Sequence, residues 1–94
     1  MSQQQRYLTC GVDQTIPLEL QIFMWDCVEH LPAPKDYLQV FDLKPVGVLQ
    51  SITHSSEVPA YKMEYIIPME NPIAEKVYVI DDGDHSTMLL ANEY

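Results

Sequence analysis

Ninety-four residues with fourteen acidic and five basic side chains carry a formal net charge of −9, which speaks against a nucleic-acid ligand, because phosphate-backbone binding depends on clustered Lys and Arg that release counterions. A composition of 47% hydrophobic and 20% charged residues is that of a globular protein, and the length allows one core and no second, so residues 1–94 are read as one domain with 1–5 as a disordered N-terminal tail. The first residues lack the apolar centre of a signal peptide and no run approaches the roughly 18 apolar residues of a membrane span, so a cytoplasmic protein is expected.

Residues 6–12 alternate, with Leu8, Cys10 and Val12 on one side and Tyr7 and Thr9 on the other, which predicts an opening strand ended by Gly11 and Asp13. Asp13 or Thr15 then caps a helix over 17–31, with Pro17 in the first turn and Pro32 and Pro34 beyond the end. At about 100° per residue, Leu20, Phe23, Met24, Cys27, Val28 and Leu31 form the core face, while Glu19, Asp26, Glu29 and His30 lie opposite. Leu18, Ile22 and Trp25 fall on a flanking arc, wider than one sheet contact needs and so open to a partner. Cys10 and Cys27 are expected as buried free thiols, since nothing in their spacing implies a disulfide.

From residue 37 the period changes to two. Segments 37–43 and 48–54 read as an antiparallel pair joined by a turn at 45–47, and 61–67 as a further strand with Tyr61, Met63, Tyr65 and Ile67 on one face and Lys62 and Glu64 on the other. Pro68 and Pro72 bound a loop. Segments 76–81 and 86–90 close the chain as a hairpin whose link over 82–85 places Gly83 at positive φ. The last segment is expected as a strand, although Ser86 as a cap and the helix formers Met88 to Ala91 would also suit a short helix. The predicted fold class is α+β, one helix packed on a mostly antiparallel sheet of about five to six strands.

Arg6-Tyr7 with Gly11, Ile16-Pro17-Leu18 with Leu20-Gln21, Trp25, Asp36-Tyr37-Leu38-Gln39-Val40-Phe41, His54-Ser55 with Glu57-Val58-Pro59 and Tyr61, and Asp81-Asp82-Gly83 with Ser86-Thr87-Met88-Leu89-Leu90 together resemble a family of small uncharacterised proteins of Firmicute bacteria and their phages, domain of unknown function nine-sixty. The resemblance spans nearly the whole chain. It implies a setting, a Gram-positive cell or its phage, and brings no catalytic residue, cofactor or substrate.

The residues themselves offer few sites. Asp81, Asp82 and Asp84, with Glu93, could supply hard oxygen ligands to a divalent cation, yet they crowd a tight turn rather than the twelve-residue spacing of an EF-hand, and Asp and Gly suit a turn for backbone reasons. His30, His54 and His85 are too scattered for a zinc site, and His54 is expected to end a strand at the sheet rim. His54-Ser55 and His85-Ser86 place base and nucleophile side by side in sequence, which seldom gives triad geometry. Gly11, Gly47 and Gly83 lie too far apart for a phosphate loop, so no cofactor is expected.

The leading expectation is a non-enzymatic protein-interaction module, anchored by Trp25, Tyr61 and Tyr65 and steered by Asp81, Asp82 and Asp84. Its expected partner is a protein, without direct nucleic-acid or membrane binding. A sharper version is a phage-type inhibitor of a host nucleic-acid-binding protein, with carboxylates imitating phosphates. The alternative is a small divalent-metal-binding domain or enzyme centred on residues 81–85. A homodimer closing through an exposed strand edge or the Trp25 flank is the third option.

Overall fold

A computed structural model describes residues 5–94. Of the expected N-terminal tail, residues 1–4 lie outside the described residues, and Gln5 belongs to a strand. In chain order the elements are β1 (Gln5–Leu8), α1 (Cys10–Thr15), α2 (Leu18–Glu29), β2 (Leu38–Val46), β3 (Leu49–Ser56), β4 (Tyr61–Pro68), β5 (Glu75–Asp81), β6 (His85–Leu90) and a 3-10 turn at Ala91–Glu93. The strands form one sheet in the order β1-β6-β5-β2-β3-β4. Only β1 pairs in parallel, with β6; every other neighbour is antiparallel. β1 and β2 therefore point the same way with β6 and β5 between them, and the two helices form the crossover that such a connection requires. The fold is the expected α+β layer.

The opening strand is shorter than its alternation suggests. At Thr9 the chain turns into α1, because the Thr9 hydroxyl accepts from the Val12 amide at 3.2 Å and caps the first turn. Val12 still reaches the core, but as a helical residue, and Cys10 is exposed rather than buried. Asp13 and Thr15, expected to cap the helix that follows, lie within α1 instead, and α2, with Pro17 at its N-cap position, starts without a side-chain cap. Proline at the N-terminal boundary of α2 behaves as expected: Pro17 contributes no donor, while its carbonyl accepts from Leu20 and Gln21. The helix ends two residues before 31, at Glu29.

The buried face of α2 is Leu20, Gln21, Met24 and Trp25, with Phe23, Cys27 and Val28 partly buried beside it. This face is rotated from the one expected, and a buried polar residue explains the rotation. Gln21 donates from its amide to the Ile16 carbonyl at 2.8 Å, closing the break between α1 and α2 from inside the core. Hydropathy counts Gln21 as a solvent residue and so pushes the expected core face away from it.

Strand alternation is obeyed closely. Phe41 and Leu43 of β2, Ile52 and His54 of β3, Val77 and Val79 of β5, and Met88 and Leu90 of β6 all face the helices. The register brings Phe41 opposite both His54 and Val77, Leu43 opposite Ile52, and Val79 opposite Met88, so one contiguous apolar layer lies under Leu20 and Met24.

Two further glutamines sit in this layer as clamps for irregular backbone. Gln50 is fully buried; its amide group lies within 3.0–3.2 Å of the carbonyls of Ile73, Ser51 and Lys44, and its oxygen accepts from the Ile73 amide at 2.8 Å. That ties the loop after β4 to the β2–β3 hairpin. Gln39 donates to the Asp36 carbonyl at 2.8 Å, and the Asp36 carboxylate in turn accepts from the amides of Leu38, Glu57 and Val58. Those backbone amides, Val58 foremost, hold the Asp36 carboxyl below the usual carboxylate range.

The opposite face of the sheet carries no helix among the described residues. Asp42, Lys44, Ser51, Thr53, Lys62, Glu64 and Ile66 project from it by alternation. Near β5 the C-terminus covers it in part, where the Tyr94 ring meets Tyr78 edge-on at 5.4 Å.

Candidate interaction surface

The acidic turn between β5 and β6 spans residues 82–84, one residue shorter than the expected link over 82–85. The Asp81 carboxylate accepts from the Gly83 amide at 2.7 Å, the local bond that makes Asp a turn former, and Gly83 takes φ 97, a conformation that strains any residue with a Cβ. Asp82 donates its amide to the His85 carbonyl at 2.9 Å and sets its carboxylate 2.9 Å from His85 Nε2. The His85 ring in turn packs edge-on against Tyr7 of β1, with centroids 5.1 Å apart. Two of the carboxylates thus shape the turn. Among the described residues no group of three or more His, Cys, Asp or Glu is placed to hold a metal ion.

Glu93 is not a member of that turn. Its carboxylate accepts from the Thr9 hydroxyl at 2.7 Å and the Leu90 amide at 2.8 Å, and these bonds hold its carboxyl below the usual range. It lies so close to Gly11 that a Cβ there would come within 2.6 Å of Glu93 Oε2. Gly11 thus leaves room for the Glu93 carboxylate, which pins the 3-10 turn to the start of α1.

Trp25 is only 9% exposed and belongs to the core. Of the flanking arc on which the sequence places it, Leu18 and Ile22 stand in solvent, while Trp25 turns inward. The Arg6 guanidinium lies 5.0 Å from the Trp25 ring centroid and 3.1 Å from the Glu29 carboxylate, so a cation–π contact and an ion pair fasten β1 to α2. As an exposed anchor Trp25 is ruled out.

Tyr61 and Tyr65 sit together on β4, at the far end of the sheet from the acidic turn, and face the helix side. Burial above all, with a hydrogen bond to Tyr61, pushes the Tyr65 hydroxyl up to about 12, and its ring meets Phe23 edge-on at 5.1 Å. Burial likewise pushes the Cys27 thiol beside it upward, the opposite of what an activated nucleophile requires.

His54, expected at the rim, is completely buried. It stacks on Phe41 at 4.3 Å and meets the Tyr61 ring at 4.9 Å. Because the Gln39 amide donates to Asp36, its Oε1 faces His54 as an acceptor at 2.7 Å, which places the imidazole proton on Nε2. Nδ1 is left as a buried lone pair with no donor. Desolvation lowers the pKa of His54 to about 4, so the ring is neutral at physiological pH and closed off from any substrate. The Tyr61–Tyr65–His54 group therefore serves packing, with only the outer edges of the two tyrosines near the surface.

What the sequence reading did not single out is a group of apolar side chains left in solvent. On the helix-free face Val46 and Leu49 stand directly opposite each other, Pro68 is paired with Leu49, and Ile66 is paired with Ser51. Val46 is 47% exposed, Ile66 51%, and Val48 at the hairpin tip 82%. Beside them Asp42, Lys44, Ser51, Thr53, Lys62 and Glu64 line a concavity of about 370 Å³. β4 borders this patch and ends the sheet, with Met63 exposed on its other face. Alternation alone held the signal, since Val46, Leu49 and Ile66 are apolar at positions out of phase with the core.

A family model described as a staphylococcal protein of unknown function (DUF960) matches residues 5–93. Among solved structures, the crystal structure of a protein of unknown function from Enterococcus faecalis is similar with a TM-score of 0.86, over 100% of this chain and 93% of that one, at 24% sequence identity. At that identity the likeness is one of fold. No curated protein matches.

Proposed function

This chain belongs to the staphylococcal DUF960 family of unknown function, and from that premise we propose that it is a non-enzymatic, cytoplasmic protein-interaction module. Val46, Val48, Leu49 and Ile66, standing in solvent on a sheet face without a helix, carry this reading. Contiguous apolar side chains rimmed by polar ones are what a protein contact buries, and a small domain has little reason to leave them in water otherwise.

The contact surface therefore moves from the expected Trp25 to the helix-free face and the β4 edge, with Tyr61 and Tyr65 as neighbours rather than centre. A net charge of −9 favours a partner with a basic surface and raises the encounter rate with it. The finer reading, a phage-type inhibitor whose carboxylates imitate phosphates, rests on that charge. An enzymatic or metal-dependent reading centred on residues 81–85 has less support, because Asp81 and Asp82 are engaged in building the turn.

Capture from a Gram-positive lysate on the immobilised protein, eluted by a salt gradient, tests the proposal. A retained protein that leaves as salt rises supports it. Retention indifferent both to salt and to Asp81→Asn with Asp82→Asn removes the acidic steering and the phosphate-mimic version with it.

A further inference from the structure

We infer that β4 pairs with the β4 strand of a second copy of this chain, antiparallel and centred on Met63, joining two six-stranded sheets into one. This goes beyond the interaction module proposed above, since it names a second copy as the occupant of one edge.

The sheet has two edges among the described residues, and they differ. β1 is four residues long and fastened to α2 through Arg6. β4 is eight residues long, pairs with β3 along its whole length from Tyr61 to Pro68 without a bulge, and has no strand on its other side. A long, regular, unpaired edge presents a row of free backbone donors and acceptors, which proteins usually shorten, bend or cover. Pro68 blunts only its last position.

The side chains select the occupant and the register. Two-fold antiparallel pairing of a strand with itself keeps like faces together and places one residue opposite its own copy. Centring on Lys62 sets Lys62 against Lys62, and centring on Glu64 sets Glu64 against Glu64, both repulsive. Centring on Tyr65 sets Glu64 against Ile66. Centring on Met63 sets Lys62 against Glu64 twice on the helix-free face, and Tyr61 against Tyr65 twice with Met63 against Met63 on the other. Met63 is 44% exposed, and Lys62 and Glu64 are exposed, so all three are open to meet a partner strand. This register is self-complementary in charge despite the acidity of the whole chain.

Sedimentation velocity over a range of concentrations, on wild type and charge variants, tests the inference. Wild type is expected to dimerise reversibly as concentration rises. Lys62→Glu alone sets like charges opposite each other and should give a monomer, as should Glu64→Lys alone. The double variant Lys62→Glu with Glu64→Lys restores opposite charges and should dimerise again. An equimolar mixture of the two single variants should form a heterodimer, a result that a purely structural effect of either substitution would not produce. A wild type that stays monomeric throughout overturns self-pairing, as does a dimer insensitive to both single variants or single variants whose mixture stays monomeric. A monomer that still captures another protein would overturn this inference and leave the interaction module standing.

Discussion

His54 illustrates how one residue can set the acid response of a whole domain. Its folded pKa of about 4 lies below the ordinary 6.5, so between those values the unfolded chain binds a proton that the folded chain refuses. The corresponding stability is complete above pH 6.5 and is lost as pH falls toward 4, on the order of 3 kcal/mol in all. Asp36 and Glu93, whose pKa values are lowered from 3.8 and 4.5, contribute stability that is lost only as pH falls below those ordinary values. His30 is raised instead, so its contribution is whole below 6.5 and fades as pH rises above it. The window from pH 6.5 to 4.5 therefore belongs to His54, and urea denaturation should show wild type weakening across it while His54→Gln stays flat. Equal slopes for the two proteins would contradict this assignment.

Gly11 offers a second test at the same scale. Gly11→Ala makes the Glu93 carboxylate swing away and give up its bonds to Thr9 and Leu90, and should cost about 1 kcal/mol. In a Glu93→Ala background the same change should cost much less, because the two residues share one contact. A thermal-melt cycle with additive effects would place the strain elsewhere.

Elements were legible in the sequence to the extent that apolar pattern alone decides them. The alternation of 37–43, 48–54 and 61–67 identified β2, β3 and β4 as strands, and in 61–67 it separated the face of Tyr61, Met63, Tyr65 and Ile67 from that of Lys62 and Glu64. The hairpin of β5 and β6 was legible from Gly83 and its aspartates. The misreadings all fall where a polar side chain organises backbone. Thr9 stops β1, Gln21 turns the face of α2, Gln39 and His54 pair inside the core, and Gln50 holds the loop at Ile73. Composition treats each of these as a surface residue, and their partners are carbonyls and amides invisible in a sequence. The consequence is testable at Gln50: Gln50→Leu leaves the Ile73 amide and carbonyl without their buried partner and should cost about 1–3 kcal/mol. Amide exchange at Ile73 should quicken with it, and an unchanged rate would show that the loop is held by other contacts.

For the molecule as a whole, both helices cover one face of the sheet, and the other carries none among the described residues. The expected site residues do not converge: Trp25 is in the core, Tyr61 and Tyr65 border the β4 edge, and Asp81, Asp82 and Asp84 close a turn near the other edge. None of this brings a nucleophile and base together in solvent. What the fold does leave open is an apolar patch next to a mixed-charge concavity, on an acidic molecule. That patch was hidden in the sequence because three apolar residues out of phase with the core look like noise until the sheet places them side by side.

Comparative capture from a Gram-positive lysate with wild type and with Ile66→Asp examines this surface most directly. The substitution lies at an exposed position and should leave the melting temperature within a few degrees of wild type. The expected result is a protein retained by wild type and lost by the variant. Identical sets of retained proteins, with the variant folded, would contradict the assignment of the helix-free face as the contact surface.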